Sequence, residues 1–462
     1  MPLTFPRPLR YNTILRRRDL RQYQKEKEHC MLQWKPVSRE DLPALHRYYE
    51  SCEYRLCEYA ALTKFMWRSH LHPSWTEAAG CLLLRNSIDG RVVFDYPIPG
   101  PEGDEDAALT AIETDGIDRG IPPVVSVVPE EKAAALLRRY PYVSVSNVRT
   151  WKDYLYRAED APLIERFGQD YAGEFGKADD PRAVNELKSA QEMLTLAGEP
   201  WLLCGGMFAD GRLLSLSLAE RCGETLIIHI EKALYSCPGV YPATVQAFAR
   251  TFGQGAVWIN REDDAADRGL RTSKLQYGPA ELGSKYHFAP KNELLKHVKA
   301  IPELKTERLT LTALREEDIP AYNALVLDGE RNRWWGYDDV GALKEPMTER
   351  SFYEVAQRDF AARSAVNFAL RLDGQFICEA VLYRFDYRGG AELGCRVAPA
   401  FAGHGYGTEA FAAVADWALY QVHLTKVVAK CFRENEASRK MLSASMRPAG
   451  EDETFYYFEK TV

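Results

Sequence analysis

The sequence predicts a mixed α/β protein, with α+β mixed sheets, that is built from three related units. Three segments share one pattern, in which an apolar strand-like run, an Asp-Gly pair and a second such run follow one another at 81–96, 201–218 and 366–383. Asp-Gly between β-rich runs is a strong hairpin signal, because both residues tolerate the positive φ of a type I′ turn. Helix-like sequence precedes each hairpin, which favours three units over one large sheet. The alternative is coincidence, since Asp-Gly is a common pair.

The length of 462 residues predicts more than one domain, because a single hydrophobic core stops growing well below that size. Pro-rich and Gly-rich stretches mark the loops and the linker near 289–302. The predicted domains are a tail (1–30), unit one (31–150), unit two (151–298) and unit three (299–462).

The tail is basic although the whole chain carries a net charge of −7. Residues 1–30 contain eight Arg and Lys against three Asp and Glu, without the apolar core of a signal peptide. A loosely ordered leader is the preferred interpretation over a nucleic-acid or membrane arm, and Met31 is an alternative start. No uncharged apolar run approaches the 18 residues that a membrane span needs, so no span is expected.

The ten cysteines are scattered, and no two form a Cys-x-x-Cys pair. This pattern predicts free thiols in a reducing cytoplasm rather than a disulfide framework. His70 and His72 flank a single residue but have no further Cys or His at ligand spacing, so no metal site is expected.

Residues 391–410 carry the clearest chemical signal of the chain. A strand-like stretch at 391–397 leads into a loop with glycines at 403, 405 and 407, and then into a helix with an apolar stripe. Such glycines let backbone N–H groups converge on an anion at a helix N-terminus, where the helix dipole favours negative charge. The loop therefore predicts a ligand that carries a pyrophosphate. Ala410 replaces the last glycine of a dinucleotide fingerprint.

Other motifs stand in order around this loop. They are Leu304-Lys-Thr-Glu-Arg-Leu309, Glu316-Glu-Asp318, Arg333-Trp-Trp-Gly-Tyr-Asp338 and Glu434-Asn-Glu-Ala-Ser438. Together with the loop they resemble the GNAT superfamily of acyl-CoA-dependent N-acyltransferases over 303–447, in the branch of the ribosomal-protein alanine N-acetyltransferases. The resemblance implies that unit three binds acetyl-CoA or another acyl-CoA.

The resemblance also implies the cofactor-binding residues. The pantetheine arm would pair with Val397 and Ala398. The pyrophosphate would be wrapped by the loop of Gly403, His404, Gly405, Tyr406 and Gly407. After the fifth strand, the cofactor would be contacted by Asn435 and Ser438. Asn435 could instead, or in addition, cap a helix. The chain departs from the family at Ala402, where Gln or Arg is usual, at Leu442, where a Tyr acid is usual, and at Ser445-Met446, where Gly-Phe is usual.

Glu392 lies where this branch often has its general base. An amine is protonated near pH 7 and must lose a proton before it attacks a thioester, so a nearby carboxylate could accept that proton. The alternative is an ion pair between Glu392 and Arg396 on one face of the strand. Trp334, Trp335 and Tyr337 could wall an amine pocket, although aromatic residues near a helix end more often belong to the core.

A second resemblance covers about 31–290. Glu231-Lys-Ala233, Asn260-Arg-Glu-Asp-Asp264, Gly269-Leu-Arg271, Lys274, Tyr277 and Lys285-Tyr286 look like the C-terminal domains of lysyl-phosphatidylglycerol synthetases. That family consists of two tandem GNAT-like units and moves an amino acid from aminoacyl-tRNA to a lipid headgroup. The resemblance implies that units one and two are such a tandem.

Candidate substrate-binding residues of the tandem are Glu231, Asn260, Arg261, Asp263, Arg271 and Lys274. Their mixed charges could hold an amine-bearing substrate or could form an internal network of salt bridges. A tRNA partner is doubtful, because acidic residues balance the basic ones over 161–187 and the net charge is negative.

The leading hypothesis is an N-acetyltransferase whose third unit reacts with an amine of a small molecule or peptide while units one and two bind or orient the substrate. The alternatives are an aminoacyltransferase that works through units one and two, and a non-catalytic sensor that binds CoA or an amino compound. The departures at Ala402 and Leu442 motivate the sensor.

Overall fold

The computed structural model describes residues 31–157, 189–234, 236–335, 339–340, 343 and 346–462. The predictions for the basic tail and for 161–187 lie outside these residues. The chain forms two compact bodies: the N-terminal body consists of 32–139 with 143–290, and the C-terminal body includes 291–462.

The N-terminal body begins with elements in this order: β1 (Lys35–Pro36), α1 (Leu42–Glu50), α2 (Ala61–Met66), α3 (Arg68–Leu71), β2 (Ser74–Ala78), β3 (Cys81–Ile88), β4 (Arg91–Asp95), β5 (Ile98–Pro99), α4 (Glu105–Arg119), β6 (Val125–Pro129), α5 (Glu130–Arg139), β7 (Val143–Ser146) and β8 (Asp153–Arg157). It continues with β9 (Leu203–Ala209), β10 (Arg212–Cys222), β11 (Thr225–Ala233), α6 (Val240–Phe252), β12 (Trp258–Asn260), α7 (Arg268–Gln276), β13 (Glu281–Gly283) and β14 (Lys285–Pro290).

The C-terminal body contains β15 (Leu304–Lys305), β16 (Thr310–Ala313), α8 (Ile319–Val326), α9 (Gly329–Asn332), α10 (Ser351–Ala361), β17 (Ala365–Leu372), β18 (Gln375–Tyr383), β19 (Gly390–Val397), α11 (Tyr406–Tyr420), β20 (Lys426–Phe432), α12 (Glu436–Ser443), β21 (Arg447–Glu451) and β22 (Phe455–Thr461).

The strands of the described residues form three mixed sheets. Their orders are β1-β2-β3-β4-β6-β14-β7 with β5 on β3, then β13-β8-β12-β11-β10-β9, and finally β15-β16-β17-β18-β19-β20-β22-β21. Each sheet has a parallel pair at its centre, namely β4 with β6, β11 with β12 and β19 with β20. This repeated architecture confirms the predicted fold class of three α/β units.

All three predicted hairpins are present. The Asp and Gly of each turn have positive φ, with Asp89 at 50°, Asp210 at 49° and Asp373 at 48°. The adjoining strands pair directly across these turns. The turn chemistry alone therefore located one hairpin of each sheet correctly.

The first and third sheets share a further local feature. A short 3₁₀ turn, Arg39–Asp41 or Glu316–Asp318, leads into a helix with Pro in its first turn. In both turns the last Asp accepts a hydrogen bond from the backbone N–H three residues earlier. Proline suits this position because the first helical N–H groups have no partner within the helix.

β14 shows that the two halves of the N-terminal body are joined through a shared strand. It follows the second sheet in sequence but pairs with β6 and β7 in the first sheet. The boundary predicted at 150/151 stays a prediction. The return of β14 to the first sheet was not predicted.

The core of the C-terminal body lies between its sheet and α11. Val414, Trp417 and Ala418 of the helix are buried together with Phe368 and Leu393 of the sheet. Among the described residues, no helix combines the length and the apolar character that are needed to cross a membrane.

Candidate acyl-CoA site

A cleft opens between the central parallel strands of the third sheet. β19 and β20 pair at Gly390–Lys426, Ala391–Val427 and Glu392–Val428, and the pairing ends there. Beyond this point β19 continues to Val397 and β20 continues to Phe432. Glu392 therefore stands at the closed end of the cleft, and the glycine loop after β19 lies toward its open end.

The predicted glycine loop precedes the N-terminus of α11. Gly403 and Gly405 have φ values of 82° and 79°, in the left-handed region that disfavours side chains. Gly407 lies in the first turn of α11, where an added Cβ would come within 3.1 Å of Val397 Cγ2 and 3.2 Å of Met441 Sδ. The ring of His404 stacks on that of Tyr406, with the centroids 5.7 Å apart. This geometry fits the predicted anion cradle, in which backbone N–H groups lie at a helix N-terminus.

Arg308 contacts the loop and is itself held by Glu409. Arg308 donates to the carbonyl of His404 at 2.9 Å and, through Nε, to Glu409 Oε2 at 2.7 Å. Its guanidinium also lies 4.7 Å from the centre of the Tyr406 ring. The motif that carries Arg308 was recognised in the sequence, but its contact with the cradle was not foreseen because it joins residues about 100 positions apart.

Asn435 acts as a helix cap, the alternative that the sequence left open. Its side chain accepts a hydrogen bond from the backbone N–H of Ser438 at 3.0 Å. Contact of either residue with a cofactor stays a prediction.

The backbone groups of Ala398 are largely occupied within the protein. The N–H of Ala398 donates to Ile377 O and its carbonyl accepts from Phe401 N, both at 2.9 Å. Ala398 could therefore contribute only through the second lone pair of its carbonyl. The pairing of Val397 and Ala398 with the cofactor stays a prediction.

Glu392 does not pair with Arg396, so that alternative is wrong. The Tyr383 hydroxyl donates to Glu392 Oε1 at 2.8 Å, and Arg384 Nε lies 3.5 Å from Glu392 Oε2. Residues four apart on one strand are separated by roughly 13 Å, whereas directly opposite residues of neighbouring strands are about 5 Å apart. Each side chain therefore contacts the residue directly opposite on β18: Glu392 contacts Tyr383, and Arg396 contacts Glu379.

Arg396 instead anchors a buried polar network on the same face of the sheet. Its Nε donates to Glu379 Oε2 at 2.6 Å and its Nη1 to Asp339 Oδ2 at 3.0 Å. Glu379 also accepts from the Tyr322 hydroxyl at 2.7 Å. The pKa of Tyr322 is raised well above its ordinary value by burial and by the Glu379 charge, so this hydroxyl stays a donor.

Trp335 lies over Arg396 of this network and against Gly394 of the same strand. The Arg396 guanidinium is 4.4 Å from the centre of the Trp335 ring. A Cβ on Gly394 would be only 2.8 Å from Trp335 Cη2. Trp334 packs against Phe432, with the ring centroids 5.8 Å apart, and Tyr337 lies outside the described residues. The structure thus places Trp335 against Gly394, two residues along β19 from the predicted base, and Trp334 against Phe432 of β20.

The charged cluster of the second sheet is largely an internal network. Arg271 donates to both carboxylate oxygens of Asp264 at 2.8 and 3.0 Å. Lys274 is 6% exposed and donates to the carbonyls of Arg261 and Asp263. Asn260 donates to the buried Asp153 at 2.8 Å. These contacts correspond to the internal alternative, and a substrate-binding role for the cluster stays a prediction.

Arg261 and Glu231 bridge the cleft of the second sheet. β11 and β12 separate after the pair Ile227–Asn260, and Arg261 Nε and Nη2 donate to Glu231 Oε2 across the opening at 3.0 and 2.6 Å. Within the described part of the chain, Arg261 Nη1 and Glu231 Oε1 are buried without a hydrogen-bond partner. In the first sheet, the Tyr59 hydroxyl donates to the carbonyl of Val127 just beyond the paired stretch.

A chain of buried ionisable groups runs behind this cluster. Glu220 Oε1 lies 2.9 Å from His229 Nε2, and Glu262 Oε1 lies 2.9 Å from His229 Nδ1. Burial opposes protonation of His229, but the hydrogen bonds with the two carboxylates outweigh burial and raise its pKa to about 9. At neutral pH His229 is therefore a cation between two carboxylates.

Cys57, Glu58 and Asp153 form a cluster that has the composition of a metal site. Lys285 occupies its centre, with Nζ 2.6 Å from Asp153 Oδ1 and 2.7 Å from Glu58 Oε1. The pKa of Lys285 is raised well above its ordinary value, because the surrounding carboxylates outweigh the effect of burial. The ammonium supplies the positive charge that these carboxylates require.

Two family models match the chain. Residues 308–445 match the acetyltransferase (GNAT) domain, and residues 179–289 match the C-terminal domain of phosphatidylglycerol lysyltransferase. The C-terminal body is therefore similar to a GNAT acetyltransferase domain over most of its length, and part of the N-terminal body is similar to the lysyltransferase C-terminal domain. No curated protein matches the chain.

Solved structures are similar to parts of this chain. A conserved protein of unknown function from Bacteroides thetaiotaomicron has 20% identity and a TM-score of 0.52, covering 56% of this chain and 100% of its own. RimJ of Mycobacterium smegmatis, solved with CoA-disulfide, has 20% identity and a TM-score of 0.28, covering 35% of this chain and 86% of its own. Spermidine N-acetyltransferase of Vibrio cholerae, solved with CoA and spermine, has 15% identity and a TM-score of 0.30, covering 34% and 96%.

Proposed function

We propose that the C-terminal body transfers an acetyl group from acetyl-CoA to an amine of a small molecule or peptide. The observation that carries the proposal is the arrangement of one cleft, with the cradle of 403–407 toward its open end and Glu392 at its closed end. A pyrophosphate bound at the N-terminus of α11 and a pantetheine arm lying along β19 would bring the thioester toward Glu392.

Glu392 would then act as the general base. The attacking nitrogen must be unprotonated, and a carboxylate close to the acyl carbon accepts its proton directly or through water. The Glu392 side chain is 13% exposed, so it is shielded from solvent but not fully buried. Leu442, in the position of the usual Tyr acid, is buried and has no proton to donate.

The N-terminal body is proposed to bind or orient the acceptor rather than a second cofactor. The cleft of its second sheet is crossed by the Arg261–Glu231 ion pair, and beyond the paired stretch of its first sheet the Tyr59 hydroxyl donates to the carbonyl of Val127. A cofactor arm would have to break these buried contacts, and the ion pair alone would cost several kcal/mol to separate. The proposal includes a reducing, cytoplasmic setting, in keeping with ten dispersed cysteines.

Calorimetric titration of the full chain with CoA tests the proposal first, with one CoA bound per chain as the expected result. Incubation with acetyl-CoA and a panel of primary amines and peptides, followed by mass spectrometry, then detects the acetylated product. CoA binding without thiol release or product would support the non-catalytic sensor, and a requirement for aminoacyl-tRNA would support the aminoacyltransferase.

A further inference from the structure

Tyr383 was not among the functional residues that could be singled out from the sequence. It is the last residue of β18 and stands directly opposite Glu392 in the antiparallel pair with β19. We propose that Tyr383 is a positioning residue that fixes the carboxylate of Glu392 for proton acceptance. This inference rests on the function proposed above.

The hydrogen bond restricts Glu392 to one arrangement. The Tyr383 hydroxyl occupies Oε1 at 2.8 Å, which leaves Oε2 as the oxygen available to an incoming amine or water. Arg384 Nε, 3.5 Å from Oε2, forms an ion pair with the same carboxylate but lies beyond good hydrogen-bond range, so the Tyr383 hydroxyl is the closer and more directional contact. A base gains efficiency when its geometry is set before the substrate arrives, because no reorganisation is then needed during the reaction.

Gly394 creates the room that Tyr383 needs. An added Cβ at this position would lie 3.5 Å from Tyr383 Cε1 and 2.8 Å from Trp335 Cη2. The missing side chain thus lets two aromatic rings approach the same strand beside Glu392. Arg396, held by Glu379, supports Trp335 at 4.4 Å from the ring centre.

A substitution that removes only the Tyr383 hydroxyl tests its role without disturbing the packing of the ring. Tyr383 is half-buried, and Tyr383→Phe removes only the hydroxyl while keeping the ring against Gly394 and Trp335. The substitution should therefore leave the fold and the acetyl-CoA affinity intact. It should lower kcat by about tenfold, the value of one hydrogen bond to a charged group.

A double-mutant cycle on the full chain tests the proposal. Thiol release from acetyl-CoA, with water and with a panel of primary alkylamines as acceptors, is measured for wild type, Tyr383→Phe, Glu392→Gln and the double variant. If Tyr383 acts through Glu392, Tyr383→Phe has no further effect once Glu392 is replaced. Tyr420→Phe, which removes an exposed hydroxyl on α11, is the matched control and should equal wild type.

The outcomes separate this inference from the proposed function. An active wild type with an unchanged Tyr383→Phe variant overturns the positioning role. The same follows if Tyr383→Phe lowers kcat equally in both backgrounds, because the hydroxyl then acts independently of Glu392. A wild type that binds CoA but releases no thiol contradicts the proposed function itself.

Discussion

Gly405→Val probes the cradle through its backbone. Gly405 has a φ of 79°, and in the left-handed region a side chain costs about 1–2 kcal/mol, with more expected for a β-branched residue. An added Cβ would meet only Arg308 Nη2, at 3.4 Å, and that side chain is 42% exposed and can move aside. The main cost is therefore backbone strain, which the loop relieves by leaving the conformation proposed to bind the pyrophosphate.

A strain of this size should weaken CoA binding by about tenfold or more, since about 1.4 kcal/mol corresponds to a factor of ten. Calorimetric titration of CoA into the full chain measures the change. Gly374→Ala is the matched control, because Gly374 has a φ of 86° in a hairpin turn with open space around it. The control should lower the melting temperature without changing CoA affinity. Equal CoA affinity for Gly405→Val and wild type would refute the assignment of the cradle.

The stability of the N-terminal body should depend on His229. Because its pKa in the folded protein is raised above the unfolded value, its contribution is complete at low pH and is lost as pH rises through about 9. In urea unfolding, the free energy of unfolding should fall by about 2–3 kcal/mol between pH 7 and 10. This fall should be absent in His229→Gln and present in His297→Gln, a control at an exposed position. Identical pH dependence of wild type and His229→Gln would contradict the prediction. Gly394→Ala should displace Trp335 at a cost of about 1–3 kcal/mol and raise the KM for the amine, with CoA affinity unchanged in titration. An unaltered KM for the amine would contradict the hypothesis that Trp335 forms part of the amine pocket.

Features that depend on a few adjacent residues were predictable from the sequence. The hairpins at 89–90, 210–211 and 373–374 follow from turn chemistry, and the loop of 403–407 follows from glycine spacing before an apolar helix. In each case the local conformation is dictated by residues that tolerate positive φ. Tertiary packing did not override these preferences.

Features that depend on strand register were not predictable. An ion pair between Arg396 and Glu392 along one strand was the alternative interpretation of Glu392, but the partner of Arg396 is Glu379 on the neighbouring strand. The bond between Tyr383 and Glu392 depends on the same register, which the intervening loop sets. The insertion of β14 into the first sheet depends on pairing with β6, more than 150 residues earlier, and no local pattern reports such a contact.

The central claim is tested most directly by the turnover of Glu392→Gln on the full chain. The substitution keeps the shape of the side chain but removes the proton acceptor. Thiol release from acetyl-CoA, measured with an amine that the wild type acetylates as acceptor, should fall about 10²–10⁴-fold. The CoA affinity measured by calorimetry should stay at the wild-type value. Glu317→Gln, at an exposed position outside the cleft, should retain full turnover. A Glu392→Gln enzyme with wild-type kcat would contradict the account of Glu392 as the base.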